Sequence, residues 1–124
     1  MSAESKFSYE DLEVWQRAIG WAARIVTLCN ALETGRKHFR IVEQLECACT
    51  SVAMNIAEGK GRYSKKEFVQ FLYVARGSLY ETLTVLELFV RLGWLSHNDH
   101  QELKGEAKEI ARMLNSLVKS IKAS

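Results

Sequence analysis

Two carboxylates and two neighbouring polar residues are the first candidates for chemistry in this 124-residue sequence. Asn55 and Glu58 lie three positions apart, and Ser78 and Glu81 repeat that spacing further along the chain. Residues three apart share a face of a helix. Paired carboxylates in a partly buried place can act as acid and base because their pKa values separate. The four residues could therefore form an acid/base constellation around Glu58 and Glu81.

A structural interpretation of the same four residues competes with the catalytic one and is favoured. A carboxylate at a helix end can accept backbone N–H bonds, and the Ser78 hydroxyl can bond to the Asn55 amide. No nucleophile–base pair, phosphate-binding glycine loop or cofactor motif accompanies them. We therefore predict a structural polar network of Asn55, Glu58, Ser78 and Glu81, no catalytic residues, no cofactor and no enzymatic activity.

A basic cluster follows Glu58 directly. Four cations and an aromatic residue lie close together in the sequence, at Lys60, Arg62, Tyr63, Lys65 and Lys66. Cations can meet phosphates while an aromatic ring stacks on a base, so the cluster predicts a loop that binds RNA or DNA. The formal net charge is only +2, so such binding must come from local clustering. A solvated connection between helices is the simpler interpretation.

Metal binding has weaker support. Cys47 and Cys49 form a C-x-C pair, but two residues apart on a helix they point about 200° away from each other. His97 and His100 have usable helical spacing at the start of a helix, yet the Glu-x-x-His pairs of di-iron bundles are absent. We predict no metal site, and we expect these two cysteines and Cys29 to be reduced and structural.

The hydrophobic pattern that positions these residues is helical along the whole chain. Apolar residues recur at spacings of three and four, proline is absent, and no run of strict alternation supports a strand. The pattern predicts helices at about 9–32, 38–58, 65–92 and 97–122. Short loops make consecutive helices antiparallel, so the expected fold is an all-α, up-down-up-down four-helix bundle, with residues 1–124 in one domain.

Capping residues and glycines predict how the helices begin and end. Three serines precede an acidic residue by three positions, as helix caps do: Ser8 with Asp11, Ser64 with Glu67, and Ser96 with Asp99. Gly59 is expected to end the second helix in the left-handed conformation, and Gly93 the third. Gly77 lies inside the third helix, where glycine costs about 1 kcal/mol relative to alanine. We therefore expect Gly77 to allow close approach of another element.

The first predicted helix carries a wider apolar surface than a contact with one other helix needs. A second apolar stripe runs beside its heptad seam and includes Val14, Trp21, Ile25 and Leu28. Either neighbouring helices of the same chain or another subunit must cover this surface, and an apolar patch of this kind favours a partner if the bundle is small. We therefore predict a closed homo-oligomer with these four residues at the interface.

The composition and the termini narrow the setting of the protein. Hydrophobic residues make up 48% of the chain, which suits a globular protein with its own core. The first residues do not form a signal peptide, and no run of 18 apolar residues occurs. We expect a soluble, cytoplasmic protein without a membrane partner.

Several motifs together resemble one known family. They lie at residues 44–51, at 55–59 with the sequence Asn-Ile-Ala-Glu-Gly, at 61–64 and at 75–79, and the opening around Asp11, Leu12 and Trp15 also fits. The chain resembles the small proteins encoded in intervening sequences of bacterial 23S ribosomal RNA genes. That family also includes the accessory variability proteins of diversity-generating retroelements. The intervening-sequence branch is the more similar of the two.

The resemblance implies an up-down four-helix bundle that assembles as a ring-shaped homopentamer without enzymatic activity. In the retroelement branch it implies binding to nucleic acid and to a reverse transcriptase through a basic surface. The chain departs from the family where arginine often follows the Gln-Leu pair, since Glu46 and Cys47 stand there. The basic face is thinner as a result.

These observations favour a non-enzymatic, oligomeric adaptor that binds nucleic acid, or a nucleic-acid-processing partner such as a reverse transcriptase, through its basic loops. The first alternative is a structural or protein-binding module that does not bind nucleic acid. The less favoured alternative is an enzyme that uses Glu58 and Glu81.

Overall fold

The computed structural model describes residues 6–32 and 35–124. It contains four long helices: α1 Glu13–Asn30, α2 Phe39–Lys60, α3 Lys65–Arg91 and α4 His97–Ala123. Short 3-10 helices precede α1 and α2, at Ser8–Asp11 and Gly35–His38. The described residues contain no strand, so the predicted all-α class is confirmed. None of the helices in these two ranges is both long enough and apolar enough to cross a membrane.

Contacts between side chains give the directions of the helices. The pairs that join α4 to its two neighbours are Arg17–Glu106 and Arg24–Glu102 with α1, and Tyr73–Lys122 and Glu87–His100 with α3. In each case the residue number on α4 falls as the number on its neighbour rises, so α4 runs antiparallel to both. The end of α2 packs on the start of α3 at Gly59 and Phe71, and the start of α2 meets the end of α3 at Leu45 and Phe89. The four helices therefore alternate in direction.

The core is built from the inward faces of all four helices. Its largest fully buried side chains include Ile25, Leu45, Ile56, Leu72, Leu79, Leu86, Phe89, Leu103, Ile110 and Leu114. On α2, α3 and α4 these residues lie three, four, seven or eleven positions apart, which are sums of threes and fours and match the apolar periodicity of the sequence. The hydrophobic pattern thus predicted the inward faces of α2, α3 and α4, whereas Ile25 on α1 belongs to the stripe that was assigned to an oligomer interface.

The predicted oligomer interface on α1 is wrong for three of its four residues. Val14, Trp21 and Ile25 are 4%, 2% and 0% exposed and belong to the core of the single chain. The indole Nε1 of Trp21 donates a hydrogen bond of 3.0 Å to the Leu103 carbonyl on α4. Leu28 is half-buried and packs against the same core. The apolar surface of α1 is wide because α1 packs between α2 and α4 of its own chain.

Two of the three predicted serine caps are confirmed. Ser64 Oγ accepts a hydrogen bond from the Glu67 amide at 3.1 Å, and Ser96 Oγ accepts one from the Asp99 amide at 3.0 Å. The Ser8 cap is wrong, because Ser8 lies in a 3-10 helix and α1 begins only after Leu12. Local signals identified the caps of α3 and α4 but not the extra turn before α1.

Gly93 follows α3 with a φ of +78°, as predicted. The roles of the other two glycines differ from those predicted. Gly59 is buried inside α2, which continues to Lys60, and a Cβ on Gly59 would lie 2.6 Å from the Cβ of Phe71. A Cβ on Gly77 would have nothing within 4 Å. Close approach of helices therefore occurs at Gly59, and no described element approaches Gly77.

Candidate functional site

The predicted binding loop lies at the end of the bundle where α2 ends, α3 begins and α4 ends. α2 ends at Lys60, and residues 61–64 connect it to α3. The last turns of α4 lie beside the first turns of α3, because the Lys122 ammonium donates a hydrogen bond of 3.0 Å to the Tyr73 hydroxyl. The antiparallel fold thus adds Lys122 to the cations of the loop.

Two of the five residues in the predicted loop are held against the protein. Lys60 is half-buried, with its Nζ 5.8 Å from the centre of the Phe68 ring. The Arg62 guanidinium lies 4.6 Å from the centre of the Phe71 ring and forms an ion pair with Glu58 one turn earlier. The ion pair offsets the charge of Arg62, and partial burial limits access to the side chain of Lys60. These two cations are therefore less available to a ligand than the sequence suggested.

The other three residues of the predicted loop are free to meet a ligand. Tyr63, Lys65 and Lys66 are all exposed, and Tyr63 is as accessible as it would be in an extended peptide. Within residues 6–32 and 35–124, neither Lys65 nor Lys66 takes part in an ion pair. The three predicted residues that are most accessible therefore lie at the start of α3 and at the tip of the connection.

A groove of about 400 Å³ runs between the start of α3 and the end of α4. Its lining includes Lys65, Lys66, Val69, Gln70, Ile121 and Lys122. Val69 and Ile121 give it an apolar floor, and the three lysines lie around that floor. The sequence alone does not reveal this groove, because its two sides are more than 50 positions apart in the chain.

Tyr73 holds two cations in place beside the groove. The Nζ of Lys122 lies 5.4 Å from the centre of the Tyr73 ring, and the Arg76 guanidinium carbon lies 4.9 Å from it. Arg76 also donates a hydrogen bond of 2.9 Å to the Asn115 side chain on α4. The hydrogen bond from Lys122 lowers the pKa of the Tyr73 phenol. This cluster was not predicted, although Tyr73 and Arg76 share a helix face through their spacing of three.

The predicted network of Asn55, Glu58, Ser78 and Glu81 is not formed among the described residues. The Asn55 amide donates its hydrogen bond to the Ser51 carbonyl, 2.7 Å away and one turn earlier in the same helix. Glu58 pairs with a cation of the loop, and Glu81 is an exposed residue of α3. Glu81 lies ten positions beyond Phe71, the neighbour of the Glu58 turn, which is about 15 Å along a helix. The two carboxylates are therefore not brought together for acid/base chemistry.

A second groove, of about 440 Å³, lies between α1 and α4. The cations that line it, Arg17 and Arg24, already form ion pairs with Glu106 and Glu102 across the two helices. The groove therefore carries charges of both signs that are already paired with each other. This makes the groove a poorer site for an anionic partner than the groove between α3 and α4.

The histidines and cysteines are separated by the fold. His100 is buried with its Nε2 3.8 Å from Glu87, whereas His97 is exposed. Over the residues that the structure describes, no three His, Cys, Asp or Glu side chains are grouped so that they could hold a metal ion.

The three thiols differ in their surroundings. Burial raises the pKa of the Cys29 thiol to about 11 and that of Cys49 to about 12, while Cys47 is exposed.

Comparisons with known proteins agree with this fold. The sequence model of the 23S rRNA-intervening sequence protein family matches residues 10–116. A crystal structure of a protein of unknown function from the S23 ribosomal protein family of Bacteroides thetaiotaomicron VPI-5482 is similar, with a TM-score of 0.79 and 28% sequence identity. The similarity covers 86% of this chain and 98% of that one. No curated protein matches the chain significantly. The match over most of its length shows that the chain belongs to the 23S rRNA-intervening sequence protein family.

Proposed function

We propose that the protein is a non-enzymatic adaptor that binds nucleic acid through the basic end of its bundle. We use "basic end" for Tyr63, Lys65, Lys66 and Lys122. One observation carries the proposal: Lys65 and Lys66 are exposed and lie with Lys122 around one groove, without a carboxylate partner among the described residues. Lysines arranged in this way can displace the counterions of a phosphate backbone, which favours binding most strongly at low salt.

One basic end provides few phosphate contacts, so we propose that assembly multiplies them. The exposed outer face of α3 supports self-association, because Val74, Tyr80 and Leu88 are 53%, 51% and 41% exposed. Gly77 lies among them with open space beside it. A contact between two different surfaces closes into a ring when the rotation allows it, and family resemblance favours five subunits. Repeating the basic end around such a ring would raise avidity without new contacts within each subunit.

A nucleic-acid-processing enzyme such as a reverse transcriptase is the protein partner that the resemblance suggests for such an adaptor. The second candidate function is a protein-binding module that does not bind nucleic acid. The ion pair between Arg62 and Glu58 favours this second candidate, because it removes one cation from the predicted loop. The absence of family arginines at Glu46 and Cys47 favours it as well.

A titration of labelled RNA and DNA at low and at physiological salt tests the proposal. Replacement of Lys60, Arg62, Lys65 and Lys66 with Gln should abolish binding and leave the helical circular dichroism unchanged. Binding by the natural protein should depend little on base sequence and should weaken steeply as salt rises. Absence of binding at low salt would favour the protein-binding module. Binding that the four substitutions do not change would contradict the assignment of binding to the basic end.

A further inference from the structure

We propose that the groove between α3 and α4 holds one unstacked nucleotide, so that the partner of the basic end is a single-stranded nucleic acid. This inference rests on the proposed function and adds the class of nucleic acid to it. It depends on the floor of the groove, on the charges around it and on the exposed aromatic ring at the tip of the loop.

The floor of the groove is apolar, which phosphate binding alone does not require. Val69 and the half-buried Ile121 form it, between the first turns of α3 and the last turns of α4. A duplex keeps the faces of its bases stacked inside and presents phosphates and base edges. A single strand can turn a base outward and bury its face against protein. The volume of about 400 Å³ lies within the range of small-molecule sites, about 300–1,000 Å³.

The charges around this floor complement the phosphates on either side of a bound base. Lys65 and Lys66 lie on the α3 side of the groove, and Lys122 lies on the α4 side. Lys122 is held in place by its hydrogen bond to Tyr73. A strand that crosses the groove would therefore meet cations before and after the base that enters it.

Two further side chains suit a single strand. Gln70 lines the groove, and its amide can both donate to and accept from the edge of a base. Tyr63 is fully exposed at the tip of the connection and can stack on a neighbouring base. Because every base has a flat apolar face, this mode of binding tolerates many sequences.

The experiment measures fluorescence anisotropy with labelled single-stranded DNA, single-stranded RNA and a DNA duplex of the same sequence at low salt. Ile121→Gln makes the floor polar without changing the net charge. Ile19→Gln is the matched control, because Ile19 is an exposed isoleucine on α1 that does not line the groove. Thermal unfolding of both variants checks that each is folded at the temperature of the titration.

We expect the natural protein to bind single strands about tenfold more tightly than the duplex, which is within the range for stacking one base. Ile121→Gln should remove most of this preference and leave duplex affinity unchanged, and Ile19→Gln should change neither. This loss of preference for the single strand over the duplex is expected for whichever single strand, RNA or DNA, binds more tightly.

Duplex binding as tight as single-strand binding would overturn the inference. So would equal effects of Ile121→Gln and Ile19→Gln, or competition by polyglutamate that is as effective as competition by a single strand. In the first two cases the proposed function still stands if Lys65→Gln and Lys66→Gln weaken binding. If no nucleic acid binds at low salt, the proposed function itself fails.

Discussion

A Cβ atom on Gly59 would lie 2.6 Å from the Cβ of Phe71 and 3.1 Å from the Phe68 ring. The last turn of α2 and the first turns of α3 therefore approach each other so closely that only glycine fits there. The connection 61–64 follows directly, and Arg62 lies over the ring of the same Phe71. This contact fixes the position of the predicted binding loop relative to α3.

Gly59→Ala should destabilise the protein by roughly 1–3 kcal/mol, the usual cost of overpacking. Alanine is the better helix former by about 1 kcal/mol, but the contacted Cβ of Phe71 is close to the backbone and cannot swing away. Gly105→Ala is the control, because a Cβ on Gly105 meets nothing within 4 Å in α4. That variant should be stabilised by up to about 1 kcal/mol. Urea unfolding that moves both variants in the same direction would contradict this prediction.

Trp21→Phe should lower the free energy of unfolding by about 1–2 kcal/mol. The change removes the hydrogen bond from the indole to the Leu103 carbonyl and leaves a smaller ring in a buried site. Trp15→Phe is the control, since Trp15 is half-buried and contacts Tyr9 near the surface. The Trp15 variant should lose less stability. Equal losses would show that the α1–α4 hydrogen bond does not stabilise the bundle.

The three cysteines should differ in their reactivity. Burial raises the pKa of Cys29 from 9.0 to about 11 and that of Cys49 from 9.0 to about 12, so neither thiol ionises near pH 8. A thiol reagent should modify the exposed Cys47 first and the other two only after unfolding. Mass spectrometry of the folded protein after short exposure to the reagent measures which thiols are modified. Rapid modification of all three would contradict the burial of Cys29 and Cys49.

The same pKa shifts predict how stability depends on alkaline pH. Both folded pKa values are raised above the ordinary 9.0, so the two thiols contribute their full stabilisation below pH 9. That stabilisation should be lost as pH rises from about 9 through about 12. A variant with Cys29→Ala and Cys49→Ala should show a weaker decline over this window. Urea unfolding at several alkaline pH values measures the difference, and an unchanged decline would contradict the prediction.

The proposed assembly can be tested at the outer face of α3. The natural protein should sediment as a closed oligomer, with five subunits expected from family resemblance. Val74→Glu combined with Leu88→Glu should dissociate it, because both side chains are exposed on that face and a charge there is costly to bury. Ile19→Glu changes an exposed residue of α1 and should leave the oligomer intact. A natural protein that sediments as a monomer at micromolar concentration would rule out the assembly.

The helices and the caps of α3 and α4 were predictable because their signals are local. Apolar spacing of three and four marks the inward faces, and Ser64 and Ser96 bond to amides only three residues away. The roles of Gly59 and Gly77 were not predictable, because the need for a glycine inside a helix depends on which residue of another helix faces it. The sequence around Gly59 resembles a helix end, but Phe71 makes it a contact point.

The burial of the apolar stripe on α1 and the groove between α3 and α4 could not be predicted for the same reason: both depend on which helices pack together. The width of the apolar surface on α1 is visible in the sequence, but which helix covers Trp21 is decided by the packing of α4. Val69 and Ile121 meet only because the end of α4 lies beside the start of α3. The basic loop was predicted from residue types alone. The ion pair between Arg62 and Glu58 was not predicted, because α2 continues to Lys60, beyond its expected end at residue 58.

Two pairs of exposed lysines allow the most direct test of nucleic-acid binding. Lys65→Gln with Lys66→Gln removes two charges from the basic end, and Lys104→Gln with Lys108→Gln removes two exposed charges elsewhere. Lys108 lies fourteen positions from Lys122 on α4, about 21 Å along the helix. Both double variants have the same net charge, so any difference between them reports the position of the charges.

The decisive measurement is the dissociation constant of a labelled single-stranded oligonucleotide, titrated at several salt concentrations for the natural protein and both double variants. The Lys65/Lys66 variant should bind far more weakly, and the slope of log affinity against log salt should become shallower by about 1.4, or 0.7 for each lost phosphate contact. The Lys104/Lys108 variant should behave like the natural protein. Equal behaviour of the two variants, or no binding by the natural protein at low salt, would contradict the assignment of nucleic-acid binding to the basic end.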